Sequence, residues 1–460
     1  MRIATNVSAI VSNNALQKSQ DRLTKSIARL SSGYKINSSS DDAAGYAISE
    51  KMRLQLRGLN QADNNAADGV SVLHTAEGAM EEIQSMLARM KELSVQAANG
   101  TNSVDERSAI QSEIDSLNSE IDRISSNTEF NSQTLISGNL SRRVYSNYEG
   151  VNQIEVSDNF VAGNYGITIT QDARQAIVVG NGAVTMSDTA TVTKEQAGTI
   201  SMNGYGIEIS EGDTLAGIMG KLVDGADKIG GRVFAITAGA TNDTKVNGTD
   251  YAGYEPQTSY AGNNIVFMTK ESGSSKTMNI TCSNARLANM LGIATAATNS
   301  GMYAEGSDVQ AEFTLDNDGK RVGFADSAVI STSGTRVTVK DVNNRTFVTD
   351  VPSNVAGTQF SDTAKADDKS TATSTQTAKV TQEVTDVGTM SVHVGANENQ
   401  VILIDIPAVT SYTLGTENLN VMTSVTASEA IDTIDTAVAY ANRVRSQMGA
   451  YENRFEHTTN

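Results

Sequence analysis

A single cysteine, Cys282, in 460 residues excludes an internal disulfide. It closes an alternating, strand-like run, Thr277 to Cys282, where a thiol is expected to be buried and structural rather than reactive. Tryptophan is absent, and the only prolines are Pro256, Pro352 and Pro407, all in the second half. Nothing in the first third of the chain therefore removes a backbone donor, and uninterrupted helices are open to it. No apolar run approaches the roughly 20 residues of a membrane-spanning helix, and Met1 to Ile10 lacks the charged and apolar regions of a signal peptide. The chain is expected to be cytoplasmic or exported by a route that leaves its N-terminus intact. A net charge of -18 and a pI near 4.7 exclude a phosphate-tracking nucleic-acid binder and disfavour an anionic membrane surface.

Catalytic patterns are missing as well. His74, His393 and His457 stand apart, with no second ligand at metal-binding spacing. Gly180 and Gly182 do not complete a dinucleotide fingerprint, and no P-loop or nucleophile elbow occurs. Asp316-Asn-Asp318-Gly319 lacks the remaining oxygens of a calcium loop and reads as a hairpin turn. Asn242, Asn247 and Asn279 open Asn-x-Thr triplets, a motif too short to carry weight. No catalytic residue, cofactor or metal is expected, and the chain reads as a non-enzyme.

What is present is helical periodicity. Leu59, Ala62, Ala66, Gly69, Leu73, Ala76, Met80, Ile83, Leu87, Met90, Ser94 and Ala97 step by three and four without a break, the spacing of a coiled-coil seam. A helix over Leu54 to Ala98 would be roughly 65 Å long, so its partners must be long helices too. It is expected to begin near Asp41 or Asp42, after a stop at Gly33 and a polar turn. Gly100 ends it, and Ser103 with Glu106 makes a capping box for a third helix with the stripe Ile110, Ile114, Leu117, Ile121 and Ile124. The short connection makes these two an antiparallel hairpin. Helical text returns at the C-terminus, where Thr426 and Glu429 suggest a second capping box. There the stripe Ile431, Ile434, Val438, Ala441, Val444, Met448, Tyr451 and Phe455 has one extra three-step, an overwinding stammer at Ala441 to Val444. Ile3 to Leu30 has a sparser stripe, and alone it would be a poor helix that needs a partner chain.

Between the helical ends, Ser141 to Thr389 is rich in Gly, Thr and Val, with Asn181-Gly182, Asn203-Gly204 and Asn247-Gly248 as hairpin-turn dipeptides. Within it Thr199 to Ile293 reads as an α+β module. Its strands are expected at Gly206 to Ile209, Arg232 to Thr237, Ile265 to Thr269 and Met278 to Cys282, with helices near Leu215 to Leu222 and Ala285 to Leu291. Ser361 to Lys379 has no large apolar side chain and reads as a mobile loop. The expected fold class is α+β: a long antiparallel helical coiled-coil rod built from both chain ends, with a β-rich inserted region projecting from it.

Leu30-Ser-Ser-Gly-Tyr-Lys-Ile-Asn37 and Asp41-Asp-Ala-Ala-Gly-Tyr-Ala-Ile-Ser-Glu50 closely resemble the N-terminal signature of bacterial flagellins. The likeness runs on through Arg57-Gly-Leu-Asn-Gln-Ala62, Asp68-Gly-Val-Ser-Val72, Glu92-Leu-Ser-Val-Gln-Ala97 and Thr128-Glu-Phe-Asn131. Val394-Gly-Ala-Asn-Glu-Asn-Gln400 resembles the family's β-hairpin motif, and Arg445-Ser-Gln-Met-Gly-Ala-Tyr-Glu-Asn-Arg-Phe455 its C-terminal rod helix. The resemblance implies three segments: an inner-tube arm, 1–40; a rod domain with a β-hairpin, 41–140 with 390–460; and a surface insertion, 141–389, with the module at about 199–293. It implies a secreted structural subunit that self-assembles into the extracellular filament of a bacterial flagellum for motility, after export with a flagellar chaperone and secretion apparatus. Family members continue for about two more helical segments past the rod helix, so the partner expected for Ile3 to Leu30 lies outside this sequence and the arm is expected to be disordered in the monomer.

Flagellins of some bacteria are bound by the flagellin-sensing Toll-like receptor at an Arg, a Leu and a Glu that correspond to Arg89, Leu93 and Glu113. Arg89 and Leu93 share a helix face, the hairpin can bring Glu113 alongside, and Leu93, beside the seam, is expected to protrude as an apolar anchor. The same three residues would equally serve packing between subunits. A hook-filament junction protein, a secreted coiled-coil adhesin and an enzyme carried on the insertion are the competing functions.

Overall fold

The computed structural model describes residues 6–157, 160–237, 243–245, 259–293, 301–342, 345–353, 355–356, 359–361, 372–374 and 377–459. Seven helices lie among them: α1 (Val7–Ser32), α2 (Ala43–Ala98), α3 (Val104–Asn127), α4 (Leu215–Lys228), α5 (Ala285–Met290), α6 (Ser411–Leu414) and α7 (Ser424–Thr459). The fold class is α+β, with long helices from both chain ends and antiparallel strands between them in sequence. The chain forms two compact units: residues 1–71, 391–403 and 453–460, and residues 72–390 and 404–452. The second unit holds both the insertion and most of the helices.

In the first unit α1 is capped at both ends. Asn6 accepts a hydrogen bond from the Ala9 amide at 3.2 Å, and Gly33 takes a left-handed φ of 73°. None of its residues is buried. After the polar turn, Asp42 accepts from the Gly45 amide at 3.1 Å, which starts α2 where the sequence placed it. The hairpin loop after Ser391 closes through Val394 N–H to the Gln400 carbonyl at 2.8 Å. It lies on α2: Asn65 donates to the His393 carbonyl at 3.0 Å, and a Cβ on Gly58 would sit 3.1 Å from Ala396. Gly69 belongs to the seam for a similar reason, since a Cβ there would come within 3.0 Å of the buried Phe455 ring. Leu59 is the exception among the seam residues and is exposed.

In the second unit α2 and α7 run antiparallel. His74 faces Glu452 at 3.4 Å, Gln84 bonds Asn442 at 2.9 Å, and Lys91 pairs with Asp435, each step forward on α2 being a step back on α7. The α2 seam from Leu73 to Ala97 is buried throughout. On α7 the buried line is Ala427, Ala430, Ile434, Ala437, Ala441, Val444, Met448, Tyr451 and Phe455, while Ile431 and Val438 are only partly covered. Counting the alanines restores strict alternation of three and four, so the expected stammer is absent from the packing. The α7 start differs too: Thr423 is the N-cap, accepting from the Thr426 amide at 3.1 Å while Thr426 accepts from the Thr423 amide at 3.1 Å. Glu429, assigned to that box from the sequence, faces Lys276 at 3.7 Å instead. Burial raises the Glu429 carboxyl above its ordinary range against the opposing pull of Lys276.

The capping box on α3 is present as expected, with Ser103 and Glu106 bonded reciprocally. Ser103→Ala is expected to destabilise the start of α3 by about 0.5–2 kcal/mol, measured as lost hydrogen-exchange protection in its first turn. The Ser103 amide, then its hydroxyl, hold the Glu106 carboxyl below the usual value of 4.5. Its contribution is therefore complete above that value and fades as pH falls through the lowered one. On α3 the buried positions include Asn118 and Ser125 alongside Ile110, Ile114 and Ile121. Asn118 donates to the Thr416 carbonyl at 2.7 Å and Ser125 to the Ile136 carbonyl at 3.0 Å, so both buried donors have a partner, while the Asn118 Oδ1 is buried without one.

Among the described residues the insertion holds two large cores and a small third cluster of Phe234, Ile236, Val266 and Met268. The first joins the sheet of Met302–Glu305, Thr277–Cys282, Gly198–Met202 and Tyr205–Ile209 to the sheet of Gln175–Val179, Asn263–Ser272 and Gly231–Thr237, with α4 and α5. All four strands and both helices expected in the module are present, but the module starts earlier than read, because Gln175–Val179 pairs with Asn263–Ser272. Asn203-Gly204 is a true two-residue hairpin turn, with φ of 49° and 86°. Asn181-Gly182 is not; the Gly182 amide donates to Gly292 of a distant turn. Asn247-Gly248 lies outside the described residues. The second core gathers Phe160, Tyr165, Phe324 and Phe347, in mostly edge-on contacts, between two four-stranded sheets. Of the expected loop Ser361 to Lys379, residues 362–371 and 375–376 lie outside the described residues. Ala372–Ser374 pairs with Gln359–Ser361, and the strand Ala378–Val384 has already begun.

Candidate functional site

Two surfaces hold the residues singled out from the sequence. On the first, α2 and α3 are antiparallel about the turn that joins them: Arg107 donates to the Ala97 carbonyl at 2.9 Å, and two turns away Arg89 reaches Glu113. The Arg89 Nε donates to Glu113 Oε1 at 2.9 Å and its Nη1 to Glu92 Oε2 at 3.3 Å. The hydrogen bond it donates to Glu113 leads the causes that hold the guanidinium above its ordinary value. Both side chains stay about half exposed, 50% and 45%. Such an exposed pair adds little stability and leaves its polar edges available. Leu93 departs from expectation. It is 2% exposed, among the most completely buried large side chains, and does not protrude. The physical reason is the width of the stripe: with Met90, Leu93 and Ala97 all buried, the covered face of α2 spans more than a single seam line because two helices pack on it. The structure thus brings Arg89 and Glu113 together at the surface and buries Leu93.

The second surface belongs to the first unit. Val7, Ile10, Val11, Leu16, Leu23, Ile27 and Leu30 of α1 are all more than half exposed, as are Ile48, Met52, Leu54, Leu56 and Leu59 at the start of α2. Arg53 stacks over the Tyr34 ring at 4.5 Å. Long apolar rows left uncovered on a helix mark contact with another chain. The α1 row is legible as a stripe; of the α2 row only Leu59 is, because the other four residues precede the regular seam.

Elsewhere, the Asp316 turn is a hairpin turn, its carboxylate accepting from the Asp318 and Lys320 amides at 2.9 and 2.8 Å. Cys282 is half-buried, burial pushes its thiol up, and it donates to the Asn284 carbonyl at 3.2 Å, which suits a structural role. No helix among the described residues is long and apolar enough to cross a membrane. His74 is not isolated: Glu77 and Glu452 converge on it. The i, i+3 relation of His74 and Glu77 was available from sequence, but Glu452 is brought in by the antiparallel register alone.

Residues 3–141 match the bacterial flagellin N-terminal helical region. Flagellin of Escherichia coli strain K12 is 30% identical over 97% of this chain and 86% of its own length. The chain belongs to the bacterial flagellin family. Flagellin B of Vibrio anguillarum is 48% identical over 145 residues, covering 32% of this chain; the matched stretch spans 39% of that relative. Among solved structures, FliC from Burkholderia pseudomallei matches 84% of this chain and 99% of its own at 14% identity with a TM-score of 0.25. The family assignment rests on the sequence matches.

Proposed function

We propose that the chain is a structural subunit that polymerises into the filament of a bacterial flagellum, extracellularly and for motility, after export with a flagellar chaperone and secretion apparatus. The observation that carries this is α1, a 26-residue helix with no buried residue and an exposed apolar row, in a member of the flagellin family. A helix of that kind is marginal in water and gains its stability from a partner chain. The catalytic arrangements sought in the sequence are missing from it, and a structural role needs none. The test is elongation: purified chain added to sheared filament seeds should grow helical filaments visible by electron microscopy. Failure to elongate under conditions where the monomer is folded would overturn the proposal and favour a junction or adhesin role.

A finer part of the proposal is recognition of the monomer by the flagellin-sensing Toll-like receptor at Arg89 and Glu113, with Leu93 supporting the helix from below. The exposed guanidinium, preset by its partner carboxylate, is a side chain of the type that anchors interfaces. Arg89→Ala is expected to weaken binding of the monomer to the receptor ectodomain on the order of tenfold. Unchanged binding in the Arg89→Ala, Glu113→Ala double variant, with helix content intact by circular dichroism, would rule the site out.

A further inference from the structure

We infer that His74, Glu77 and Glu452 form a transition-metal site that clips α2 to α7. His74 and Glu77 are three residues apart on α2 and leave the same face of the helix. From the antiparallel α7, Glu452 places Oε1 3.4 Å from the His74 Nε2. One ligand atom from each of the three lies within 4.8 Å of the others. Around a tetrahedral ion with bonds of about 2.0–2.2 Å, donors stand roughly 3.4 Å apart. One pair already meets that separation, and the others reach it by rotamer changes in side chains that are 59%, 35% and 29% exposed.

The donor set selects the ion. An imidazole nitrogen argues against calcium or magnesium, which take oxygen ligands alone, and suits zinc, with nickel and copper as chemical relatives. Three protein ligands leave the fourth position for water, and the exposure of all three lets the ion enter from solvent. Arg445 supplies the outer support. Its Nε donates to Glu77 Oε1 at 3.1 Å and its Nη1 to Gln84 Oε1 at 3.0 Å, which fixes the Glu77 carboxylate while leaving Oε2 for the ion. Two carboxylates against one guanidinium leave net negative charge for a divalent cation to balance. The consequence is mechanical: an ion held by residues from both helices stabilises their pairing, because the unfolded chain does not hold the three ligands together. This inference stands apart from the filament proposal and does not need it.

The experiment is calorimetric titration of chelator-treated full-length chain with zinc chloride, alongside thermal melts. Wild type should take up one ion per chain, and its melting temperature should rise with zinc. His74→Ala and Glu452→Gln should each weaken uptake at least tenfold and abolish the rise. The His393→Ala, His457→Ala double variant should behave as wild type. Because neither His74 nor Glu452 is buried in the core, the single variants should keep wild-type circular dichroism without zinc. Absence of saturable uptake by wild type, or uptake that survives both His74→Ala and Glu452→Gln, would overturn the inference.

Discussion

Leu93→Ala is expected to lower the stability of the monomer by about 2–5 kcal/mol, the range for emptying a buried leucine site. The side chain is 2% exposed and sits in the layer shared with Met90, Ser94 and Ala97, all fully covered. Val95, on the other side of the helix, is 53% exposed, and Val95→Ala should stay within about 0.5 kcal/mol of wild type. Urea denaturation followed by circular dichroism separates the two, with the midpoint moving for Leu93→Ala at an unchanged slope. Equal midpoints for the two variants would show that Leu93 is an exposed anchor after all. The result also governs how receptor experiments are read: a loss of binding on Leu93→Ala includes a loss of fold, whereas Arg89→Ala removes a solvent-facing group.

The long helices were legible because a seam of large apolar residues repeats over many turns, and a heptad pattern of that length has few competing explanations. Where the reading slipped, small or polar residues were carrying the packing. Ala427, Ala430 and Ala437 complete the α7 seam without adding hydrophobic bulk, so a stripe drawn through larger neighbours acquired a false stammer. Asn118 and Ser125 are buried on α3 because carbonyls of Thr416 and Ile136 receive their hydrogen bonds, and both carbonyls come from segments beyond the helix. The α7 cap slipped by one turn because Thr423 and Thr426 each satisfy the local rule. Lys276, which draws Glu429 away, is distant in sequence. The candidate site divides in the same way. Arg89 and Glu113 follow from the helical hairpin, a local feature. The burial of Leu93 depends on how many helices share one face of α2, and the approach of Glu452 to His74 depends on register between the two ends of the chain.

Replacing Leu16, Leu23 and Ile27 together by serine is expected to abolish filament elongation while leaving the stability of the monomer unchanged. These three lie on one row of α1, and each is more than half exposed. Burying a Val, Leu or Ile side chain fully contributes about 1.5–3 kcal/mol, so covering the row with a partner helix gains several kcal/mol per subunit from these positions alone. Association costs a comparable amount in lost freedom of motion, so removing that gain leaves elongation without its driving force. Monomer stability should not change, because none of the α1 residues is buried within the chain and nothing folded is emptied by the substitutions. Both sides of the expectation are measured on one preparation: urea denaturation of the monomer, and light scattering after addition of sheared seeds. Elongation at the wild-type rate would show that the α1 row is not the assembly surface. A fall of several kcal/mol in monomer stability would show that α1 is packed against its own chain, and its exposed row would then need a different explanation.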